Sequence, residues 1–151
     1  MTIESSETVL FAAEPKLAPV EFVDLLARTS LGARRPIDDL PRIARMLDQA
    51  DVIVTARIAG RLVGVARALT DFSFCTYLSD LAVDETFQGR GIGYELMREV
   101  HAAAGLETRL ILIAAPLART YYPQMGLEPH DSCWMIPPGN GLPPRGTVAP
   151  S

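Results

Sequence analysis

A cluster of glycines between a strand-like run and a helical run constrains this chain most. Residues 88–93 read QGRGIG, with a glycine at every second position, and they follow an apolar stretch, residues 77–83, that predicts a strand. Beyond the cluster, apolar side chains recur at the spacing of one helix face: Ile92, Leu96, Val100 and Ala104. The pattern predicts a strand that passes through a glycine-rich turn into a helix.

A second strand is predicted directly after this helix. Gly105 is placed to end the helix, and the unbroken apolar run of residues 110–114 predicts a strand buried on both faces. Two parallel strands joined by a helix form a β-α-β unit with a right-handed crossover. In such a unit the glycine cluster lies at the carboxyl end of the first strand.

The glycine cluster also predicts an anion site. The first four N–H groups of a helix have no partner within it, and the helix dipole adds about half a positive charge there. Gly89, Gly91 and Gly93 have no Cβ atoms to hold a diphosphate away from the main chain, and Arg90 adds a charged donor. The spacing fits neither a P-loop nor the G-x-G-x-x-G dinucleotide motif. A site for a phosphorylated cofactor and a tight turn that uses glycines for packing both stay open.

Helices are predicted before this unit. Residues 9–12 predict a short strand, and a helix that starts at Pro19 is predicted to share one face among Val20, Val23, Leu26 and Ala27. Asp38 or Asp39 is placed to cap a second helix, whose apolar positions are Leu40, Ile43 and Leu47.

An antiparallel meander is predicted next. Residues 52–59 and 62–69 predict two strands joined at Gly60 and Arg61, and residues 75–83 continue the meander. After the β-α-β unit, a short helix from Pro116 is predicted to end at Gly126, and residues 133–136 predict a last strand. Residues 137–151 contain five of the twelve prolines and three of the eleven glycines. We therefore expect one folded domain, residues 1–136, and a mobile tail, residues 137–151.

Composition excludes several classes of partner. With 14 Lys and Arg against 18 Asp and Glu, the net charge of −4 argues against nucleic-acid binding. Cys75 and Cys133 are too few for a disulfide framework, and the spacing of His130 and Cys133 without a C-x-x-C pair predicts no metal site. Residues 1–16 show no secretory signal, and no apolar run approaches the about 20 residues that span a bilayer. We expect a soluble, cytoplasmic protein without a membrane partner.

Three segments together resemble the signatures of the GNAT superfamily of N-acetyltransferases. They are Leu81-Ala82-Val83, the glycine cluster, and residues 121–127, which read YYPQMGL. The cluster is similar to the family pattern Q/R-x-x-G-x-G/A at Gln88, Gly91 and Gly93. The later segment is similar to F-Y-x-x-x-G-F at Tyr122 and Gly126. The predicted elements follow the family's order, so the resemblance covers residues 7–136.

The resemblance implies an α/β fold of the GNAT acyl-CoA N-acyltransferase type. Its mixed, mostly antiparallel sheet has a central parallel β-α-β unit with splayed strands. The diphosphate of acetyl-CoA is then expected on the glycine loop, and its pantetheine arm in the gap between residues 81–83 and 110–114. The implied cofactor contacts are Leu81, Ala82, Val83, Gln88, Gly89, Arg90, Gly91, Ile92, Gly93, Tyr94 and Tyr122.

The resemblance also suggests catalytic roles. Tyr122 would donate a proton to the departing thiolate, and Asp80 would accept the amine's proton directly or through water. A packing role for Tyr122 and a structural role for Asp80 remain alternatives. Three positions depart from the family pattern. Ala115 replaces an asparagine that contacts the cofactor, Leu127 replaces an aromatic residue, and residues 77–80 lack the glutamate that several members use as a base.

The sequence therefore predicts transfer of an acetyl group from acetyl-CoA to a primary amine, most simply of a small molecule. Direct attack in a ternary complex needs no covalent enzyme intermediate. A catalytically silent module that binds acetyl-CoA and an enzyme that acetylates protein amino groups are the alternatives. Arg34 and Arg35 would either bind an anionic group of the acceptor or form a solvated pair. The family's habit leaves a homodimer open.

Overall fold

The computed structural model describes residues 7–146, which fall into two compact units, residues 7–117 and residues 118–146. The described part of the first unit contains β1 (Val9–Ala13), α1 (Pro19–Ala27), α2 (Leu40–Asp48), β2 (Val52–Ile58), β3 (Arg61–Thr70), β4 (Cys75–Val83), α3 (Ile92–Ala104) and β5 (Arg109–Ile111). The second unit contains the short helix α4 (Tyr121–Gln124). Short 3-10 turns lie at Ser30–Arg34, Glu85–Phe87 and Pro116–Ala118.

The five strands form one mixed sheet in the order β1-β2-β3-β4-β5. The first three pairings are antiparallel, and β4 and β5 are parallel, with α3 as the crossover between them. This sheet confirms the predicted α/β class and the parallel unit within an antiparallel meander.

The helix boundaries follow local chemistry as predicted. Pro19 occupies the start of α1, and the Asp39 side chain caps α2 by accepting the N–H of Arg42 at 3.1 Å. Gly105, with φ +108°, ends α3. The β2–β3 turn differs by one residue from the prediction, since its positive-φ residues are Ala59 and Gly60 and β3 already begins with Arg61. Two successive positive φ angles match the right-handed twist of the paired strands.

Alternate residues of β3 face two different helical layers. Val65 belongs to the buried cluster that includes Phe22 and Leu26 of α1. Its neighbour Gly64 faces α3, where a Cβ atom would lie 2.9 Å from Leu96 Cδ1. Since successive side chains of a strand point to opposite faces, α1 and α2 cover one face of the sheet and α3 covers the other.

The predicted buried face of α1 was partly wrong. Val20 is 62% exposed and Ala27 is also exposed, whereas Phe22 and Leu25 are fully buried beside Leu26. The helix is rotated so that its two largest apolar side chains reach the core. Burying Phe22 and Leu25 removes more apolar surface from water than burying Val20 and Ala27.

Two strand predictions were also wrong. The run at residues 110–114 forms a strand only to Ile111, and this residue is 52% exposed. Within the described sheet β5 is an edge strand, so it is not buried on both faces as predicted. Residues 133–136 form no strand, and Trp134 is 91% exposed. The described residues of the second unit offer no strand that could pair with this segment.

No helix among residues 7–146 has both the length and the apolar character needed to cross a bilayer. Residues 137–146 contain neither helix nor strand. The rest of the predicted tail lies outside the described residues.

Candidate active site

The glycine loop connects β4 to α3 through a left-handed turn. After the 3-10 turn Glu85–Phe87, Gly89 has φ +79° and Gly91 has φ +81°, and Gly91 is the residue that precedes the first turn of α3. L-residues with a side chain rarely adopt these angles. Apart from the chain neighbours of each glycine, no described protein atom lies within 4 Å of the place where its Cβ atom would stand. The loop thus presents its main chain to open space.

The N–H groups of this loop and of the first turn of α3 are free. Glu95 donates the first hydrogen bond of the helix, to the Gly91 carbonyl at 3.1 Å. Among the described residues, none accepts a hydrogen bond from the N–H groups of residues 89–94. Together with the positive end of the helix dipole, these free donors suit an anion.

Neighbouring side chains fix both ends of the loop. Buried Asp84 accepts hydrogen bonds from the Thr86 N–H at 2.9 Å and from the Thr86 hydroxyl at 2.8 Å, and it pairs with Arg28. Burial alone would raise the pKa of Asp84, but the bonds from Thr86 and Arg28 outweigh it, so the pKa is lowered and the carboxylate stays ionised. The Gln88 amide donates to the Val83 carbonyl at 3.1 Å. These contacts hold the loop against the end of β4.

Two predicted contact residues stand at the rim of the loop. The Arg90 guanidinium lies 5.0 Å from the centre of the Phe87 ring, a cation–π distance. Tyr94, in the first turn of α3, is 46% exposed. Ile92 and Gly93 are buried, so they can offer a ligand only their main-chain N–H groups.

One edge of β4 is open beside the loop. β5 pairs with β4 only at Cys75, Thr76 and Tyr77, so residues 78–83 have no neighbouring strand on that side among the described residues. The Asp84 N–H donates to Val63 of β3 at 2.8 Å. Because main-chain groups alternate along a strand, Leu81 and Val83 direct theirs to the open edge, whereas those of Ala82 point to β3. Leu81 and Val83 are therefore placed to pair with an extended ligand, and Ala82 is not.

Asp80 lies in a cluster of charged side chains at the start of this open edge. Its exposure is 1%, its Oδ1 accepts from Arg35 Nε at 2.5 Å, and its Oδ2 accepts from Arg67 Nε. Both carboxylate oxygens are thus engaged by guanidinium groups. This geometry favours the structural role that the sequence left open, because the carboxylate is buried and paired with two guanidinium groups, which favour its ionised form and keep it from an acceptor amine. The Arg35 guanidinium is engaged within the protein, in contrast to both predictions for it, an acceptor-binding group or one member of a solvated pair.

Tyr122 lies on α4 in the second unit. Its ring packs edge-on against Tyr121, with ring centres 5.3 Å apart and an interplanar angle of 71°. Burial, and to a lesser degree Tyr121, raises the pKa of Tyr122 above its ordinary value, so the phenol is protonated at neutral pH. The single helix predicted from Pro116 was wrong, since the structure has the 3-10 turn Pro116–Ala118 and a separate helix α4, but Gly126, with φ +91°, follows the end of α4 as predicted. No group of three metal-ligating side chains is found among residues 7–146.

Comparison with known proteins identifies the family. Residues 38–133, more than half of the chain, match the acetyltransferase (GNAT) domain. The chain belongs to the GNAT acetyltransferase family. No curated protein sequence is similar enough to count as a relative.

Solved structures share the GNAT fold. A protein of Deinococcus radiodurans R1 that is described as a putative acetyltransferase is 26% identical, with a TM-score of 0.69 over 90% of this chain and 93% of that one. The GNAT-family acetyltransferase SP0256 of Streptococcus pneumoniae is 21% identical, with a TM-score of 0.69 over 85% and 96%. The aminoglycoside N-acetyltransferase AAC(6')-Iy, solved in complex with CoA, is 17% identical, with a TM-score of 0.70 over 90% and 98%.

The charged cluster around Asp80 contains partners that sequence reasoning missed. Arg67 is 5% exposed and lies directly opposite Asp80 in the pairing of β3 with β4. A signal was present, since each is a charged residue at an inward position of an apolar strand, and buried charges need partners. Nothing in the sequence indicated that Arg35, which lies in the segment before α2, would bind Asp80.

Proposed function

We propose that this GNAT protein transfers an acetyl group from acetyl-CoA to a primary amine of a small molecule. The proposal rests on two features that occur together in the first unit. The free N–H groups at the start of α3 follow an open strand edge of β4, which begins directly after the last β4–β5 pair at Tyr77. The first feature suits a diphosphate, and the second suits an extended amide-containing chain.

The residues present fit CoA at the loop. Gly89 and Gly91 leave their Cβ positions open, so a diphosphate can approach the main chain of residues 89–94 without a steric barrier. The Arg90 guanidinium adds a charge-assisted contact at the rim. Gln88 fixes the Val83 carbonyl from the loop side, which keeps the end of β4 in place.

The open edge of β4 would hold the pantetheine arm. The main-chain groups of Leu81 and the N–H of Val83 are available to pair with its amides as a further strand would, while the Val83 carbonyl already accepts from Gln88. A donor on this edge would also stabilise the negative charge that develops on the thioester carbonyl oxygen. Such a donor is typically worth about 3 kcal/mol.

Bound acetyl-CoA supplies an activated acyl carbon. The amine nitrogen forms a bond to this carbon as the carbon–sulfur bond breaks, the nitrogen loses one proton, and the departing sulfur takes one. We assign the proton given to sulfur to the Tyr122 hydroxyl, whose raised pKa keeps it protonated at neutral pH. We assign no side-chain base, since Asp80 is buried and paired with two guanidinium groups. The amine reacts as its uncharged fraction, the proton that nitrogen loses passes to water, and water returns one proton to Tyr122.

Calorimetry with acetyl-CoA, followed by a thiol-release screen, tests the proposal. We expect micromolar binding, and release of CoA thiol with at least one member of a panel of polyamines, amino acids, amino sugars and peptides. No heat with any CoA species would refute the cofactor site. Tight binding without thiol release for any amine would refute the enzyme and leave a CoA-binding module, whereas release with peptides alone would move the acceptor to proteins.

A further inference from the structure

The cluster around Asp80 spans two successive residues of β4. Arg35 donates from Nε to Asp80 Oδ1 at 2.5 Å and from Nη2 to the Ser79 carbonyl at 2.7 Å. Arg67 donates to the other Asp80 oxygen and, from Nη2, to the Ser79 hydroxyl at 2.9 Å. Within residues 7–146 every buried side-chain nitrogen and oxygen has a hydrogen-bond partner. Both guanidinium groups therefore bind Ser79 and Asp80.

These two residues form an irregularity in the sheet. Arg67 of β3 pairs with Asp80, but the next residue, Ala68, pairs with Leu78, so Ser79 is an extra residue on β4. Such a bulge turns the main chain and re-aims the groups that follow it. Pairing with β5 ends at Tyr77, two residues earlier. The bulge thus stands where the open edge begins.

Charge neutrality does not require both arginines. Arg67 is buried and lies directly across from Asp80, so this pair alone compensates the carboxylate. Arg35 adds a second positive charge to one negative charge, and its side chain is 21% exposed. Its distinctive contact is the one to the Ser79 carbonyl, which is a main-chain atom of the bulge.

We propose that Arg35 is a positioning residue, which holds the β4 bulge so that the open edge at Leu81 and Val83 is aligned with the pantetheine arm and its thioester. The inference rests on the proposed function. Arg35 acts through Ser79 and touches neither acetyl-CoA nor the amine. The same contact ties residues 29–37, which precede α2, to β4. Because a planar fork makes both bonds at once, a lysine cannot replace it.

Hydroxylamine is the acceptor for the test, since a small nucleophile needs no shaped acceptor site. In this reaction its nitrogen bonds to the acetyl carbon, the carbon–sulfur bond breaks, and one proton passes from nitrogen to sulfur. The variants are Arg35→Lys, Arg35→Ala and the matched control Arg34→Gln, which removes a neighbouring exposed positive charge. For each we measure kcat by thiol release, the Kd of acetyl-CoA by calorimetry, and Tm.

We expect Arg35→Lys and Arg35→Ala to lose about ten- to a hundredfold in kcat, the loss that a misplaced reacting group causes. The Kd of acetyl-CoA and Tm should stay close to those of Arg34→Gln, and added ethylguanidinium should restore part of the kcat of Arg35→Ala. An unchanged kcat would overturn the inference. So would a fall in kcat that is accompanied by an equally large loss of acetyl-CoA affinity and a lower Tm, without rescue by ethylguanidinium. Wild-type protein that binds no acetyl-CoA, or binds it without transfer, would instead refute the proposed function and with it this role.

Discussion

Substituting Gly91 by alanine separates a cofactor loop from an ordinary turn. Gly91 has φ +81°, and within residues 7–146 no atom other than those of its chain neighbours lies within 4 Å of its Cβ position. The substitution therefore creates no clash within the protein. Its cost to stability is the left-handed conformation alone, about 1–2 kcal/mol.

Gly60 in the β2–β3 turn provides a matched control. It also has φ +81° and open space at its Cβ position, and it lies in a hairpin turn that takes no part in the proposed site. Gly60→Ala should cost the same about 1–2 kcal/mol. For a chain of this size, each kcal/mol lowers Tm by about 2–4 °C, so both variants should melt a few degrees below the wild type.

Only Gly91→Ala should lose affinity for acetyl-CoA. Its methyl group would occupy the space through which a diphosphate approaches the free N–H groups of residues 89–94. We expect Kd to rise at least about tenfold, which corresponds to about 1.4 kcal/mol. Calorimetric titration of the three proteins at one temperature, below all three melting transitions, measures this difference.

Equal affinities for Gly60→Ala and Gly91→Ala would refute the reasoning. In that case the glycines would serve only the turn, which is the packing interpretation that the sequence left open. A loss of affinity shared by both variants would point to general destabilisation.

Three other predictions address catalysis, pH and packing. Tyr122→Phe should lower kcat about a hundredfold with acetyl-CoA affinity unchanged, and a variant that turns over as fast as the wild type would refute the role of Tyr122 as proton donor. Because the pKa of Tyr122 is raised, loss of its proton should not lower the wild-type rate between pH 7 and 9. Hydrogen bonds from the N–H groups of Phe74, Ser73 and Cys75 lower the pKa of Asp71 from 3.8 to about 2. The ionised Asp71 therefore stabilises the folded protein fully above the unfolded-state pKa of 3.8, and this stabilisation is lost as the pH falls from 3.8 toward 2. Over that window the Tm of the wild type should decline more steeply than that of Asp71→Asn, and parallel curves would contradict this account. Gly64→Ala places a Cβ atom 2.9 Å from Leu96 Cδ1 and should cost about 1–3 kcal/mol in chemical denaturation, with part of the loss absent in a Leu96→Ala background.

Much of the fold was predictable because short-range rules decided it. The Asp39 cap, Pro19 at the start of α1 and the bounds of β4 followed from the residues at those positions. The left-handed glycines before α3 were signalled by the motif itself. Their fit to a phosphorylated ligand was argued from the same few residues.

Other features needed the folded chain. Residues 110–114 have the composition of a buried strand, but a strand is buried only when neighbours cover it, and β5 lies at an edge. Residues 133–136 are similarly apolar and remain without a strand partner among the described residues. Which face of α1 turns inward was decided by the fit of Phe22 and Leu25 into the core.

The sequence by itself determined where helices and strands begin and that a glycine loop precedes α3, since periodicity, capping and the sterics of φ act over a few neighbouring residues. Only the tertiary structure decided what Asp80 does. Its two partners lie 13 and 45 residues away along the chain, on β3 and before α2. A carboxylate's chemistry depends on the charges around it, and only folding brings those charges together.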